Sequence, residues 1–266
     1  MTLTESPDLL ATVVAATRRA VEGRQAATPR ATLERGAQRA PRGQAFIEAM
    51  RSSPAPRIIA ECKRRSPSKG ILRSDYDPAA HAASYAAAGA AAVSVLTEPT
   101  FFDGSLEHLR AVRAAVTIPV LRKDFIVTDY QVHEAAAAGA DAVLLIVGAL
   151  DDAALRRLLH LSGQCGLAAL VEVHDRGELN RALTAGAAVI GVNSRNLRTL
   201  AVEPQVLEHA VTAFSQGHAE VLVAESGIRT PQDIGRLTAL GYDAFLVGER
   251  LITQPDPGAA LRELRA

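Results

Sequence analysis

From residue 57 onward, short apolar runs alternate with longer stretches of helical pattern. Most of these runs meet charge only at their carboxyl ends, which is typical of strands buried on both faces. The alternation predicts eight parallel strands, each followed by a helix. The runs are RIIAE (57–61), AAVSVL (91–96), PVLRKDF (119–125), DAVLLIV (141–147), AALVEV (168–173), AVIGVN (188–193), VLVAES (221–226) and AFLVGE (244–249).

The segments between these runs carry the start and stop signals of helices. Capping side chains precede a proline at the first helical position in three places, and two further segments have the spacing of a capping box. Glycines that end a helix recur about every 50 residues, so a unit of two strands and two helices is predicted to occur four times. These signals are Asp77-Pro78, Thr230-Pro231, Asp256-Pro257, Thr128 with Gln131, Asp175 with Glu178, and the glycines Gly89, Gly139, Gly186 and Gly241.

Eight strand–helix units in about 210 residues fit the (β/α)8 TIM barrel of the α/β class. We therefore assign residues 57–266 to a catalytic barrel. An open, doubly wound sheet of eight strands is the structural alternative, and the fourfold repeat suits a closed ring better.

Residues 1–56 have a different pattern and are predicted to form a helical extension packed on the barrel. An amphipathic helix is predicted over Leu9–Arg24, and further helices over residues 31–39 and 44–51. Pro54-Ala55-Pro56 closes the extension, because each proline disfavours helix at the residue before it.

Composition narrows the function. The 29 basic residues balance the 29 acidic ones, which argues against nucleic acid or an anionic membrane as a partner. The first ten residues have no secretion-signal pattern, and the longest apolar run, 142–150, is too short for a membrane helix. Two cysteines are too few for a disulfide framework, so a reducing compartment, the cytoplasm, is expected. No nucleotide-binding, zinc or CxxC motif is present, and neither a metal nor a cofactor is predicted.

Ionisable or phosphate-compatible residues follow seven of the eight predicted strands. A single charge after a strand is usually a solvated loop residue, but seven similar ends favour one shared site, because barrel enzymes carry their chemistry at the carboxyl ends of the strands. These ends are Glu61 and Lys63, Thr97-Glu98, Lys123-Asp124, Glu172 and His174, Asn193 and Arg195, Glu225-Ser226-Gly227, and Gly248-Glu249.

Strand alternation supports convergence. Glu61 and Lys63 share one face of the first strand, and Lys123 shares a face with Leu121 on the third, whereas Cys62 has the opposite parity and is predicted to pack in the core. If the faces that carry Glu61, Lys63 and Lys123 point into the barrel, burying these charges unpaired is costly. Either a charged ligand or pairing of the charges with one another must then compensate them.

The last two strand ends have the character of a phosphate site. Ser226-Gly227 and Gly248 permit close approach of the backbone, and a helix starting near Asp256-Pro257 is expected to aim its N–H groups at an anion. His174 is interpreted either as a base or as a structural hydrogen-bonding residue.

The run IAECKRRSPSKG (59–70) closely resembles the signature of the indole-3-glycerol phosphate synthase family. The resemblance implies ring closure of 1-(2-carboxyphenylamino)-1-deoxyribulose 5-phosphate to indole-3-glycerol phosphate, CO2 and water, in tryptophan biosynthesis and without a cofactor. Six further motifs match in register along the barrel. They are LTE (96–98) with FFDGS (101–105), LRKDF (121–125), LVEVH (170–174), GVNSRNL (191–197), AESGI (224–228) and VGE (247–249).

The resemblance also implies catalytic roles. Lys123 matches the general acid that protonates the substrate ketone, and Glu172 matches a carboxylate that stabilises positive charge on the ring nitrogen or removes a proton. Lys63 matches a phosphate contact that assists dehydration, with Glu172 as the alternative for that step. Glu61 orients the lysines, and Asn193 completes the catalytic set.

The implied binding residues fall into two groups. The substrate-binding residues are Arg195, Glu225, Ser66, Phe102, Phe125, Leu145 and Leu197, with the four apolar ones forming a slot for the aromatic ring. The phosphate-binding residues are Lys63, Ser226, Gly227, Gly248 and Glu249, the last through its backbone N–H.

Two departures from the family pattern are small: Arg65 stands where lysine is common, and Arg250 where a small residue is common.

The rival hypotheses are phosphoribosylanthranilate isomerase or another sugar-phosphate isomerase, which would use a Cys/Asp or Asp/Asp pair, and a non-catalytic phosphate-binding barrel. The expected ligand is a small sugar phosphate. A monomer is favoured over a dimer, and other tryptophan-pathway enzymes are the candidate protein partners.

Overall fold

The structure is a computed structural model that describes residues 8–36, 39–208 and 219–266. Eight parallel strands close into a barrel in which each strand pairs with its sequence neighbours and the last pairs with the first. The predicted (β/α)8 barrel is therefore confirmed, and the open doubly wound sheet is wrong. The strands are β1 Arg57–Cys62, β2 Ala92–Leu96, β3 Val120–Lys123, β4 Ala142–Ile146, β5 Ala168–Val173, β6 Val189–Asn193, β7 Val221–Glu225 and β8 Ala244–Val247.

The strands are apolar throughout because they separate two cores. Alternate side chains, such as Ile59, Leu121 and Leu144, fill the barrel interior. Their neighbours, such as Ile58 and Val143, pack outward against the helices. Cys62 is buried in this outer core, as its parity predicted.

Helices surround the barrel, and side chains cap most of them. Asp77, Thr230 and Asp256 each accept a backbone N–H at the start of the helix that follows, and Thr128 with Gln131 forms the predicted capping box. The predicted helix-ending glycines all have positive φ, as at Gly139 with φ 90°. The helices are α4 Pro78–Ala87, α5 Pro99–Phe102, α6 Leu106–Ala115, α7 Asp129–Ala137, α8 Asp152–Gln164, α9 Arg176–Thr184, α10 Pro231–Leu240, α11 Glu249–Ile252 and α12 Pro257–Arg265.

Three helices precede the barrel: α1 Leu9–Ala27, α2 Arg30–Gly36 and α3 Gly43–Ser52. Residues 1–7 and 37–38 lie outside the described ranges. Most of the first ten residues, which have no secretion-signal pattern, and part of the helix predicted over residues 31–39 are therefore not described. Phe46 and Met50 of α3 are fully buried against the amino-terminal ends of the strands, where they close the bottom of the barrel.

Buried ion pairs fasten these helices to the barrel. The fully buried carboxylate of Asp141, just before β4, accepts from Arg39 at 2.7 Å and from Arg113 at 2.8 Å. Arg24 of α1 binds Glu134 of α7 at 2.7 Å. Pairs with a buried partner are expensive to break, so they hold the extension in place.

None of the helices in the described ranges combines the length and the apolar character that crossing a membrane requires.

Candidate active site

A cavity of about 680 Å³ opens at the carboxyl ends of the strands, and we call this end of the barrel the mouth. Its size suits a small organic ligand. All of the predicted site residues except Leu145 line it. They are Glu61, Lys63, Ser66, Phe102, Lys123, Phe125, Glu172, Asn193, Arg195, Leu197, Glu225, Ser226, Gly227, Gly248 and Glu249.

All three lysines of the chain lie in or beside the mouth. The sequence contains 26 arginines but only three lysines, Lys63, Lys69 and Lys123. Lys63 and Lys123 line the cavity, and Lys69 reaches its rim to bind Glu249 at 2.6 Å. An ammonium gives up a proton far more readily than a guanidinium does. Among the lysine and arginine side chains, only the three lysines at the mouth can therefore act as general acids.

Lys123 stands at the end of β3 with its side chain pointing into the barrel. Its Nζ donates to Oε2 of Glu172 at 3.0 Å and lies 3.6 Å from Oε2 of Glu225. Burial alone would lower the pKa of Lys123, but the negative charges of Glu172, Glu225 and Glu61 outweigh it and raise the pKa above its usual value. The ammonium is therefore protonated throughout the physiological pH range.

The two carboxyl groups around Lys123 differ in protonation. Burial would raise the pKa of Glu172, but the charge of Lys123, followed by the close contact with His174, lowers the pKa below its usual range. Burial and the neighbouring charge of Glu172 raise the pKa of Glu225 to about 8, against the opposing effect of Lys123. We therefore expect the pair to hold one proton at pH 7, with Glu225 as the more basic of the two carboxyl groups.

Gly191 of β6 makes room for the Glu225 carboxyl group. A side-chain carbon at position 191 would overlap Oε1 of Glu225 and approach Cδ1 of Leu170 to 3.1 Å. The absence of a side chain there lets a second acid occupy the interior of the barrel.

We expect Glu225→Gln to stabilise the ligand-free protein, and to do so more at pH 8 than at pH 5. The folded pKa of about 8 lies above the ordinary value of 4.5, so the folded state binds this proton more tightly than the unfolded chain does. Stability contributed by the protonated group is therefore lost as pH rises from 4.5 to 8. Thermal unfolding should show a gain of about 3 °C in Tm at pH 8. An equal gain at pH 5, or a loss at pH 8, would contradict the raised pKa.

Lys63 and Glu61 form a second charged pair in the mouth. Lys63 Nζ donates to Oε1 of Glu61, and the Glu61 carboxylate also packs against the backbone of Gly248, where a side-chain carbon would overlap it. The first strand is thus joined to the last by a close approach that only glycine permits. Mutual pairing, one of the two possibilities left open by the sequence, satisfies these charges in the ligand-free state.

His174 lies behind Glu172 rather than in the cavity. Its Nε2 is 3.3 Å from Oε1 of Glu172, and its Nδ1 is 3.1 Å from Oε2 of Glu178 on α9. The predicted capping box at Asp175 is only half formed, because Glu178 accepts from the backbone N–H of His174 at 2.8 Å.

An apolar wall lies on one side of the cavity. The Phe102 and Phe125 rings are 6.3 Å apart between centroids and tilted by 39°. The assignment of Leu145 to this wall is wrong: its side chain packs in the outer core, and Leu144 and Ile146 face the cavity instead. Adjacent residues of a strand point to opposite sides of the sheet, so a prediction one residue off reverses the direction.

The opposite wall contains the predicted phosphate-binding turns. Ser226 and Gly227 both have positive φ, 66° and 74°, which turns this loop sharply at the end of β7. The helix that starts after Asp256 does not border the cavity as expected, and the Asp256 side chain accepts the backbone N–H of Ala259 at 2.9 Å. The helix that borders the cavity is the short α11, which begins at Glu249 directly after β8.

Sequence reasoning missed the support behind Lys123. Arg122 is fully buried and donates to Asp124 at 2.8 Å, to Thr97 Oγ1 at 3.1 Å and to Glu134 at 3.3 Å. Lys123 thus lies between two residues of a buried ionic network. The run LRKDF (121–125) carried a signal for this network, because strand alternation places its arginine on the face opposite to Lys123.

Within the described ranges, no group of three or more histidine, cysteine, aspartate or glutamate side chains has the arrangement of a metal site. The two lysines of the mouth are each paired with a carboxylate, Lys63 with Glu61 and Lys123 with Glu172, whereas both carboxyl oxygens of Glu225 are buried without a hydrogen-bond donor among the described residues.

Two solved structures share the fold. The crystal structure of 3-hexulose-6-phosphate synthase matches with a TM-score of 0.61 at 17% identity, over 79% of this chain and 98% of that one. Thiamine phosphate pyrophosphorylase from Pyrococcus furiosus matches with a TM-score of 0.59 at 19% identity, over 79% and 93%.

Sequence comparisons are more specific. The family model for indole-3-glycerol phosphate synthase matches residues 10–264. The indole-3-glycerol phosphate synthase of Beutenbergia cavernae is 48% identical over 258 residues, which cover 97% of this chain and 95% of that protein. The enzyme of the same name from a Nocardioides species is 56% identical over 207 residues, 78% and 79% of the two chains. The chain therefore belongs to the indole-3-glycerol phosphate synthase family.

Proposed function

We propose that the mouth catalyses the reaction for which the family is named, the ring closure of 1-(2-carboxyphenylamino)-1-deoxyribulose 5-phosphate with loss of CO2 and water. The observation that carries the proposal is the ion pair of Lys123 with Glu172, set between an apolar wall and the sharp turn at Ser226-Gly227. This arrangement offers a proton, a fixed negative charge, a slot for an aromatic ring and a place for a phosphate.

In the first step, Lys123 acts as general acid. The ring carbon that bears the carboxylate attacks the ketone, whose oxygen takes up negative charge and receives a proton from Nζ. The raised pKa of Lys123 ensures that the proton is present, and an alkoxide is basic enough to remove it.

In the second step, Glu172 stabilises the positive charge that the attack leaves on the ring nitrogen. Loss of CO2 then restores the electrons of the ring. The lowered pKa of Glu172 keeps its carboxylate ionised, and burial strengthens its field, because little water screens it.

The last step removes the hydroxyl formed from the ketone as water: an acid protonates the hydroxyl as its C–O bond breaks, and a base removes a proton from the adjacent CH2 carbon, so that the double bond of the indole ring forms. Lys63 and Glu172 remain the two candidates for the proton transfers of this step. Lys63 is held by Glu61, which suits a group that must keep its proton until the leaving hydroxyl arrives. Asn193 orders the strand end beside them by accepting the backbone N–H of Arg195 at 2.9 Å.

We assign the substrate phosphate to the turns at Ser226-Gly227 and Gly248-Glu249, with Lys63 as its cation. The sharp backbone turn at 226–227, and the presence of Gly248 and Glu249 in the lining of the cavity, support contact between the phosphate and backbone N–H groups. Arg195 and the lysines balance the substrate charge, about three negative charges at neutral pH.

We expect inorganic phosphate to compete with the substrate, and Gly248→Asp to weaken both. The new side chain displaces Glu61 and adds a negative charge at the phosphate position. The KM for substrate and the inhibition constant for phosphate should each rise about 30-fold, equivalent to about 2 kcal/mol. Gly163→Asp, on the exposed surface of α8 with open space around the residue, is the matched control. Unchanged phosphate inhibition in Gly248→Asp would place the phosphate elsewhere.

One assay tests the reaction directly. The chain contains no tryptophan, so indole fluorescence should rise from a dark background when the carboxyphenylamino deoxyribulose phosphate is added. We expect one CO2 released for each indole formed. An isomerase would instead act on phosphoribosylanthranilate, and its Cys/Asp pair has no counterpart at Cys62, which is buried in the outer core. Absence of both products would contradict the proposal.

We further propose that the protein works in the cytoplasm on a small sugar phosphate, as a monomer rather than a dimer, and alongside other tryptophan-pathway enzymes. Two free thiols, Cys62 and Cys165, suit a reducing compartment. We also propose that residues 1–56 serve as an extension of the barrel 57–266, with the start of α1 bordering the mouth. In support, Asp8 at the start of α1 pairs with Arg198, after β6, at 2.8 Å.

A further inference from the structure

The Glu172 carboxylate is held from two sides. Lys123 binds Oε2 at 3.0 Å, from within the cavity. His174 lies 3.3 Å from Oε1, on the side away from the cavity. Each oxygen therefore has its own basic neighbour, and His174 Nε2 and Glu172 Oε1, both buried, have no other hydrogen-bond partner in the described part of the chain.

His174 is itself fixed by α9. Oε2 of Glu178 accepts two hydrogen bonds from His174, one from the ring Nδ1 at 3.1 Å and one from the backbone N–H at 2.8 Å. The backbone N–H of Glu178 is in turn bound by Asp175 at 2.8 Å. The imidazole thus stands between two carboxylates and faces one with each ring nitrogen.

We propose that His174 is a positioning residue for the reaction: as an imidazolium held by Glu178, it orients the Glu172 carboxylate and keeps it ionised. The inference rests on the proposed role of Glu172. A neutral imidazole has only one N–H and can donate to one carboxylate, whereas the imidazolium donates to both. His174 does not line the cavity, so it acts through Glu172 and not on the substrate.

The electrostatics agree with this geometry. The charged groups that face the imidazole are Glu172, from its own strand, and Glu178, from α9. Burial alone would lower the pKa of His174, but its close contacts with these two carboxylates raise the pKa to about 10. The groups that face Glu172 are Lys123, Glu225 and His174, so loss of the imidazolium removes one of its two cations.

A direct measurement uses the unaltered protein. In 15N-histidine spectra, the His174 signal is identified by its loss in His174→Gln. We expect both of its ring nitrogens to carry protons at pH 8, because the raised pKa keeps the ring charged until the pH approaches 10. A neutral ring at pH 7 would overturn the proposal, and this result does not depend on the activity of any variant.

Kinetics test the positioning role. In His174→Gln we expect kcat to fall about ten-fold with KM nearly unchanged. We also expect the acidic limb, the fall of kcat at low pH, to move up by about one pH unit. Glu178→Gln should shift the limb in the same direction by less, since its amide oxygen still accepts one hydrogen bond. His160→Gln, on the exposed face of α8, should match the unaltered protein.

The outcomes separate the two proposals. A fall in kcat without a shift of the acidic limb indicates a structural role and overturns the inference about His174. If Glu172→Gln keeps full activity, the proposed role of Glu172 fails first. If Glu172→Gln is impaired and His174→Gln has the unaltered rate and profile, only the inference about His174 fails.

Discussion

Replacement of Lys123 by alanine is expected to lower kcat by about 10³-fold while the fold survives. The variant loses the proton donor, and no equivalent group replaces it, because Lys63 is paired with Glu61 and Lys69 with Glu249. It also leaves Glu172 and Glu225 facing each other without their shared cation, so the pKa of Glu172 should rise. Indole fluorescence measures the rate, and thermal unfolding checks the fold.

Lys123→Arg is the matched control for charge. It keeps a cation between Glu172 and Glu225, but a guanidinium does not release its proton in this pH range. We expect this variant to be as stable as the unaltered protein and nearly as inactive as Lys123→Ala. Near-normal kcat in Lys123→Arg would show that the site needs the positive charge of Lys123 and not its proton. Near-normal kcat in Lys123→Ala would show that the site needs neither.

Replacement of Glu172 by glutamine is expected to lower kcat by about 10²-fold with little change in KM. The amide has nearly the same shape but cannot stabilise the positive charge on the ring nitrogen. The effect should persist from pH 6 to pH 9, because the lowered pKa of Glu172 means that the carboxylate is ionised across that range.

Glu225→Gln provides the comparison within the same site. With a pKa of about 8, the Glu225 carboxyl is mostly neutral at pH 7, and an amide resembles that state. We therefore expect a loss at pH 7 about ten-fold smaller than that of Glu172→Gln, with the difference narrowing above pH 8. Equal losses at pH 7 would mean that the proton of the pair is not held by Glu225.

The strands and their order around the barrel were predictable because burial on both faces produces apolar runs of a recognisable length. Inward parity was predictable on β1 and β3, where Glu61, Lys63 and Lys123 mark the inner face. The run DAVLLIV of β4 has no polar residue within the strand to mark a face, and for that reason Leu145 was assigned to the cavity in place of Leu144 and Ile146.

Other features depend on long-range contacts that local patterns do not encode. The α11 helix has no side-chain cap, whereas Asp256 caps α12, so the sequence signal pointed to a helix that does not border the cavity. The different protonation of Glu172 and Glu225 arises from their distances to Lys123 and His174, which the fold alone determines.

The shared position of the acid, the carboxylate and the phosphate turns is tested most directly by a crystal structure of Lys123→Ala with the carboxyphenylamino deoxyribulose phosphate bound. We expect the ketone oxygen to point at the space vacated by Nζ, the aromatic ring to lie against Phe102 and Phe125, and the phosphate to contact the backbone at 226–227 and 248–249. A substrate whose phosphate lies away from those turns, or whose ketone faces away from position 123, would contradict the account.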